Sequence, residues 1–177
     1  MNILAIDIET LATTADAVCL SIGVAFEGGH VDGVRLNVCD QIRLCRRVDP
    51  ETQKWWARQD SITWWHATDR DSQMDLGDGL TLIAEKIAAF EPNEIWARGS
   101  MDQIVLENLL AQVGVAVPWR YSVWRDERTL WALAQELGLP AVKGGRANTH
   151  TALEDACACL KSVITIKDML KALAPDL

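Results

Sequence analysis

Apolar and polar positions along the first forty residues predict a run of strands. Residues 2–9 are apolar on both faces until Asp7 and Glu9, a pattern typical of a buried central strand. Two more strands are predicted, over 17–26 and over 33–39, the second of them with alternating apolar and polar residues. Gly28-Gly29 and Asp32-Gly33 have the turn chemistry expected between these two strands.

Helical periodicity and capping residues predict helices further along the chain. They are expected over 49–56, 76–90, 100–113 and 127–137, and from residue 151 onward. Asp49 is the expected N-cap of the first, with Pro50 at its first helical position. Ser100 with Gln103, and Thr151 with Glu154, match capping boxes. Further strands are predicted over 94–98 and 119–124. This mixture of strands and helices indicates an α/β fold.

Length and composition favour a single globular domain over 1–177. The chain has 177 residues and 49% hydrophobic content, enough for a sizeable core. It enters a strand at once, and no apolar run approaches the roughly 18–20 residues of a membrane span. Its five cysteines are odd in number and lack C-x-x-C spacing. We therefore expect an unprocessed cytoplasmic protein with no membrane association, whose cysteines are reduced core residues.

The formal net charge of −8 argues against a protein that coats long duplexes, because such binding relies on Lys and Arg. An enzyme that acts on nucleic-acid ends is still compatible with this charge. Basic residues do cluster near the motifs described below, although such clusters are often only solvated faces. They are Arg43, Arg46, Arg47, Lys54 and Arg58, then Arg125 and Arg128, then Lys143 and Arg146.

Asp7 and Glu9 form the sharpest chemical signal in the sequence. Side chains two apart in a strand point to the same face, so these carboxylates should stand side by side, with Cα atoms roughly 6.5–7 Å apart. Burying two adjacent anions is costly, and a divalent cation removes that cost. Alternatively, one acid caps a helix while the other faces solvent. Taken alone, the pair does not decide between these interpretations.

Three further residues favour the metal site. Asp102 falls in the first turn of its predicted helix, and His150 and Asp155 have the spacing H-x4-D at the start of the last helix. His150 lies on the preceding loop, from which it can reach over a substrate held by a metal that Asp155 binds. A histidine before a helix is more often a solvated loop residue. The combination with three other acids favours a two-metal nuclease site.

The ordered set of these five residues resembles the DEDDh subgroup of 3′–5′ exonucleases. D-x-E on the first strand, Asp102 and H-x4-D follow in the order of that subgroup, across about residues 3 to 160. Thr52-x-x-Trp55-Trp56 and Asp126-x-Arg128-Thr129-Leu130 resemble segments of its small bacterial and phage members, the mycobacterial exoribonuclease-like group. Met101 departs from the aromatic residue that many relatives carry. The resemblance implies a ribonuclease H-like mixed sheet, with strands one to three antiparallel and later strands parallel, flanked by helices.

The same resemblance implies the mechanism and the substrate. Two Mg²⁺ or Mn²⁺ ions are expected on four carboxylates, with His150 as general base: the metal ligands are Asp7, Glu9, Asp102 and Asp155. The expected reaction releases nucleoside 5′-monophosphates from 3′ ends of single-stranded DNA or RNA. Relatives of this type commonly pair as homodimers, which makes a homodimer an open expectation.

Substrate-binding residues are expected at Thr10, Trp55, Trp56 and Arg128. Eight tryptophans against one tyrosine and two phenylalanines is an unusual balance, and exposed indole faces stack on bases. Adjacent residues on a helix point in different directions, so at most one of Trp55 and Trp56 can line a groove. Alternative functions remain open at this point: a catalytically silent nucleic-acid-binding module, a proofreading module beside a polymerase, or another metal hydrolase.

Overall fold

A six-stranded mixed sheet forms the centre of the protein. The computed structural model describes residues 2–140 and 150–173. In spatial order the sheet reads β4-β3-β2-β1-β5-β6. Its strands are β1 (Ile3–Thr10), β2 (Cys19–Phe26), β3 (Val31–Leu36), β4 (Gln73–Met74), β5 (Glu94–Ala97) and β6 (Trp124–Asp126). β1, β2 and β3 pair antiparallel, whereas β5 runs parallel to both β1 and β6. This arrangement confirms the predicted α/β fold with a mixed sheet.

Helices cover both faces of the sheet. They are α1 (Val38–Arg43), α2 (Pro50–Trp56), α3 (Ser61–Thr68), α4 (Leu76–Phe90), α5 (Met101–Val113), α6 (Glu127–Glu136) and α7 (Ala152–Leu173). Leu4 and Ile6 of β1 pack in one core with α4 and α5. Ile3 and Ala5 pack in a second core with α7. The alternation of side chains along β1 therefore divides it between two cores, as expected for a central strand.

A glycine in β2 lets α7 lie directly on the sheet. Gly23 of β2 pairs with Asp7 of β1 on one side and with Gly33 of β3 on the other. A Cβ atom at Gly23 would lie 2.3 Å from the carbonyl carbon of Ala152, so the first turn of α7 rests on this bare backbone. The turn predicted at Asp32-Gly33 is wrong, because both residues lie inside β3. The chain instead turns over 27–30.

Several element boundaries differ from the sequence-based prediction. β3 ends at Leu36, since the Asn37 side chain accepts hydrogen bonds from Cys39 N and Asp40 N and so begins α1. The strand predicted over 119–124 is shifted to β6, after a 3₁₀ turn over 121–123. The short elements α1, α3 and β4 were not predicted. Short elements carry too few residues for a clear period.

Among the described residues, neither predicted capping box has the expected hydrogen bond at its cap hydroxyl. The Ser100 side chain makes no cap hydrogen bond, although α5 begins where predicted. The Thr151 hydroxyl is buried without a hydrogen-bond partner in the described part of the chain. The Asp49 cap is confirmed, because its carboxylate accepts from the backbone N–H of Thr52. Packing of α5 and α7 against the sheet therefore defines these helix starts without the predicted side-chain caps.

The first basic cluster is partly structural. Arg46 is buried; its Nε donates to the carbonyl of Ala17 at 2.8 Å and its Nη1 to Oδ1 of Asn108 at 2.8 Å. This arginine joins the segment before α2 to α5 and is unavailable to a substrate. Lys143 and Arg146 lie outside the described residues.

All five cysteines are free, as predicted, but not all are core residues. Cys19 and Cys159 are buried, whereas Cys39 and Cys45 are exposed. The expectation of a core position is wrong for the exposed pair, because α1 and the residues after it form a surface segment. Among the described helices, none has both the length and the apolar character that crossing a bilayer requires.

Candidate active site

The end of β1 supplies the first two carboxylates. Ile3 and Ala5 face α7, so the alternation of the strand places Asp7 and Glu9 on that same side. The pairing register with β2 shifts between Glu9 and Thr10, as at a β-bulge. Bulges redirect side chains and are frequent beside active sites. Asp7 and Glu9 border a cleft at this end of β1, next to the irregular pairing.

The start of α5 supplies the third carboxylate. Asp102 is 8% exposed, and its Oδ1 accepts a hydrogen bond of 3.1 Å from the backbone N–H of Ile8. This bond joins α5 to β1 between Asp7 and Glu9. β5 runs parallel to β1 and leads into α5. The carboxyl ends of β1 and β5 therefore lie at the same edge of the sheet, where Asp7, Glu9 and Asp102 come together.

The first turn of α7 supplies the fourth carboxylate. Asp155 N donates to the carbonyl of Thr151 at 3.0 Å, which places Asp155 in the opening turn. Because that turn rests on Gly23, the neighbour of Asp7 in β2, Asp155 approaches the acids of β1. The predicted meeting of the H-x4-D and D-x-E motifs thus depends on a glycine in a different strand.

His150 lies immediately before α7, as predicted. Its φ of 44° is in the left-handed region, an uncommon conformation for a residue other than glycine. The imidazole meets the Trp55 ring edge-on, with centroids 4.8 Å apart and planes at 82°. Such backbone conformations are concentrated at functional sites, where the surrounding structure holds them. Trp55 therefore supports the imidazole on one side.

A single cleft of about 950 Å³ brings the predicted site residues together. Every residue predicted for the site borders it: Asp7, Glu9, Thr10, Trp55, Trp56, Asp102, Arg128, His150 and Asp155. Additional polar side chains line the same cleft, among them Thr13, Asp49, Thr52 and Arg98. The cleft is open and large enough for a nucleotide, and carboxylates occupy its floor.

Burial and mutual repulsion perturb these carboxylates. Burial, together with the negative charges of Asp155 and Asp102, raises the pKa of Glu9 to about 8. Burial likewise raises the pKa of Asp7 well above its ordinary value, with additional repulsion from Asp102. Burial raises the pKa of Asp102 to about 6, although the hydrogen bond from Ile8 lowers it. The cleft therefore concentrates negative charge that a bound cation would relieve.

The donor atoms fit a divalent cation. Glu9, His150 and Asp155 each offer a ligand atom, and these atoms lie within 4.8 Å of one another. Asp7 and Asp102 interact electrostatically with the same group: Asp102 raises the pKa of Glu9, and Glu9 and Asp155 raise the pKa of Asp7. Carboxylate oxygens are the ligands that Mg²⁺ and Mn²⁺ prefer. The imidazole lies closer to the acids than the sequence predicted, within reach of the same ion.

The predicted substrate-binding residues separate into two kinds. Trp55 is 39% exposed and presents a ring to the cleft, whereas Trp56 is 1% exposed and packs in the core. Trp56 Nε1 donates to the carbonyl of Thr10 at 2.9 Å, so it supports the end of β1. The prediction of a base-stacking role is therefore wrong for Trp56, which has no free face. Arg128 is exposed at the rim of the cleft.

Comparison with known proteins identifies the family. A family model described as the Rv2179c-like 3′–5′ exoribonuclease domain matches residues 2–167. The chain belongs to this family. It is therefore a 3′–5′ exonuclease domain, as the resemblance to the DEDDh subgroup implied. A comparison with curated proteins finds no match.

Solved structures of exonuclease I have the same fold as this exonuclease domain. A product-bound exonuclease I matches with a TM-score of 0.61 and 14% identity, over 96% of this chain and 44% of that one. The zinc-bound form of an E. coli exonuclease I–single-stranded DNA complex matches with a TM-score of 0.63 and 14% identity, over 99% of this chain and 41% of that one. The exonuclease domain thus spans less than half the length of these chains, and the likeness concerns the fold.

Two charged residues of the cleft region were missed by sequence reasoning. Arg98 follows β5 directly, four residues before Asp102, and Glu127 is the first residue of α6. Glu127 is buried, and the Arg98 side chain is 15% exposed. A sequence signal was available for Arg98, because a charged residue at the carboxyl end of a parallel strand often faces a site. Glu127 had none, since it lies between Asp126 and Arg128 in an ordinary polar run.

The stability of the metal-free exonuclease domain should fall as pH rises. Glu9 titrates near 4.5 in an unfolded chain and near 8 in the folded one, so the folded protein holds a proton that unfolding releases. Stability conferred by the protonated group is present at acid pH and is lost progressively between these values. The loss approaches about 1.4 kcal/mol per pH unit for each such proton. Thermal unfolding in EDTA between about pH 5 and 8 measures it.

Added Mg²⁺ or Mn²⁺ should reverse this fall of stability with rising pH, because the metal binds the folded protein and replaces the protons on its carboxylates. The increase in Tm on adding metal should grow with pH. A Glu9→Gln variant is the control, and its Tm in EDTA should depend less on pH than that of the wild type. A Tm in EDTA that climbs steadily from about pH 5 to 8 would contradict the prediction.

Proposed function

We propose that this exonuclease domain hydrolyses the terminal phosphodiester bond at the 3′ end of single-stranded nucleic acid and releases nucleoside 5′-monophosphates. The observation that carries the proposal is the convergence of four carboxylates and His150 in one open cleft. β1, α5 and α7 each contribute to it, and a purely structural role does not require so much buried negative charge in one place. The family description supports the 3′–5′ direction.

Asp7, Glu9, Asp102 and Asp155 are proposed to hold two Mg²⁺ or Mn²⁺ ions. Bound ions of this kind supply Lewis-acid stabilisation of the phosphate charge and lower the pKa of a water molecule. The chain provides the oxygen ligands and holds them in place through β1, α5 and α7. The hydrogen bond from Ile8 N to Asp102 fixes one of these carboxylates before any ion arrives.

His150 is proposed as the general base that accepts the proton of the attacking water. An imidazole can exchange a proton near neutral pH, and this one lies beside Glu9 and Asp155. The edge-on contact with Trp55 limits the positions that the ring can adopt. The exposed part of Trp55 is the proposed stacking surface for a base, and Arg128 at the rim is suited to a phosphate.

The substrate is proposed to be single-stranded, with RNA as the favoured form. The family is described by an exoribonuclease activity, whereas one structural neighbour was solved with single-stranded DNA. A comparison on both polymers is therefore part of the test. A cytoplasmic location, a single domain over 1–177 and a homodimer remain predictions.

The deciding experiment is a gel time course with 5′-labelled single-stranded RNA and DNA of equal sequence, in Mg²⁺, Mn²⁺ or EDTA. We expect ladders that shorten from the 3′ end and that EDTA abolishes. His150→Ala should lower turnover by about 10²–10⁴-fold, the usual contribution of a general base. Its effect on metal binding should be smaller than its effect on turnover. The relative rates on the two polymers rank the substrates.

His30→Ala is the matched control, because His30 is exposed and contacts Asp32 away from the cleft. It should leave turnover unchanged. Intact RNA and DNA under every metal condition, with binding retained, would contradict the proposal and favour a silent nucleic-acid-binding module. Shortening only in the presence of an added polymerase would favour the proofreading module.

A further inference from the structure

One guanidinium joins three elements beneath the carboxylates of the site. Arg98 follows β5, its Nε donates to Oε2 of Glu127 at 2.7 Å, and its Nη1 donates to Oδ1 of Asp155 at 3.2 Å. All three side chains are largely buried, with 15%, 10% and 14% of their areas exposed. Arg98 therefore ties the starts of α6 and α7 to the sheet edge from which α5 begins.

The two hydrogen bonds of Arg98 differ in strength. Charge-assisted N–H···O bonds are usually about 2.7–2.9 Å long, so the bond to Glu127 is tight and the bond to Asp155 is loose. Glu127 thus fixes the position of Arg98, and Arg98 makes a weaker hydrogen bond to Asp155. The Asp155 carboxylate also lies within 4.8 Å of ligand atoms of Glu9 and His150. It can therefore bind a cation without disrupting the bond between Arg98 and Glu127.

Glu127 also balances charge. With Glu127 in place, the Arg98–Glu127 pair has no net charge, so the four carboxylates of the site lie beside a neutral ion pair and not beside an unpaired guanidinium. Without Glu127, a buried and uncompensated guanidinium would have Asp155 as its nearest anion. It would then compete with a divalent ion for that carboxylate.

We infer that the Arg98–Glu127 pair positions Asp155 for metal binding. Arg98 holds the carboxylate in its ligand orientation, and Glu127 neutralises Arg98 so that Asp155 remains available to the ion. Both are positioning residues, since neither needs to touch the substrate. This inference rests on the proposed function, because it requires Asp155 to be a metal ligand.

The test measures Mn²⁺ binding in the absence of substrate, by electron paramagnetic resonance of the free ion, together with kcat at saturating Mn²⁺. Glu127→Gln keeps the shape and the acceptor of the side chain but removes its charge. We expect its Mn²⁺ dissociation constant to rise about tenfold, within the range known for residues that support metal ligands. The double variant Arg98→Gln, Glu127→Gln removes the competing cation as well. Its Mn²⁺ affinity should return toward the wild-type value, whereas its kcat should fall about tenfold because Asp155 loses its orientation.

Glu94→Gln provides a matched control. Glu94 pairs with Lys167 at 2.5 Å and so joins the same α7 to the same β5, with 16% and 20% of the side chains exposed. Neither residue borders the cleft. This variant should lose stability comparably to Glu127→Gln while keeping the wild-type Mn²⁺ affinity. The comparison separates a loss of an ion pair from a loss of metal positioning.

The outcomes distinguish the inference from the proposed function. Wild-type protein that neither binds Mn²⁺ nor shortens RNA or DNA would overturn the proposed function. Wild-type protein that binds Mn²⁺, with Glu127→Gln binding it equally well, would overturn the inference alone. If Glu127→Gln does not fold, Arg98→Lys replaces it, since its ammonium keeps the charge but cannot bridge both carboxylates. Its kcat should then fall while its Mn²⁺ affinity is retained, and unchanged kcat would contradict the inference.

Discussion

Replacing Asp7 with asparagine should abolish exonuclease activity and, at the same time, make the metal-free protein more stable. The amide keeps the shape of the side chain but removes a buried charge that Asp102, Glu9 and Asp155 oppose. We expect turnover to fall by on the order of 10³-fold or more, because a metal ligand is lost. The free energy of unfolding in EDTA at pH 8 should rise by about 1–2 kcal/mol.

The combination of the two effects is the diagnostic result. A carboxylate with a purely structural role would lower stability when removed, and would leave activity intact in the fraction that folds. Gel assays at saturating Mn²⁺ and urea unfolding in EDTA measure the two quantities on one preparation. Asp168→Asn is the control, since Asp168 is exposed and pairs with Lys171 across one turn of α7. Retained activity in Asp7→Asn would contradict its assignment as a metal ligand.

Adding one methyl group at Gly23 should disrupt the site from a different strand. The Cβ atom of Gly23→Ala would lie 2.3 Å from the carbonyl carbon and oxygen of Ala152 and 2.4 Å from Leu153 N. These are backbone atoms that cannot turn aside, so the start of α7 must move. We expect a loss of stability above the about 1–3 kcal/mol of ordinary overpacking. Turnover should fall at least about 100-fold as Asp155 and His150 are displaced.

Gly33→Ala is a matched control in the adjacent strand. A Cβ atom at Gly33 would have its nearest neighbours at 3.4 Å, the carbonyl oxygen of Ile22, and at 3.8 Å, the flexible Leu153 side chain. We expect it to change stability by less than about 1 kcal/mol and to retain activity. Equal damage from the two substitutions would show that α7 does not rest on Gly23. Chemical unfolding, with activity measured per folded molecule, makes the comparison.

Much of the active site could be predicted because its residues follow local rules. Asp7 and Glu9 share a face since strand side chains alternate, and this depends on the sequence of β1 alone. The positions of Asp102 in the first turn of α5 and of His150 before α7 were predicted from capping-box patterns, and both helices begin there although neither cap hydroxyl makes a capping hydrogen bond within the described residues. The order of these motifs along the chain, compared with a known family, then indicated the chemistry and the fold.

The remaining features depend on contacts between segments that are distant in the chain. Trp55 and Trp56 are equivalent as neighbours in the sequence, and only the packing of α2 on the end of β1 leaves one exposed and buries the other. The Arg98–Glu127 pair forms across 29 positions, and no local pattern marks such a pair.

The sequence by itself indicated which residues are the candidates for the chemistry of this exonuclease domain, because strand alternation and motif spacing are local properties. Tertiary structure alone decided how those residues meet. Gly23 shows the physical reason: its importance lies in a missing side chain, and the atoms that require its absence belong to α7, far along the chain. The approach of α7 to β1, and with it the closing of the site, is a property of packing between elements.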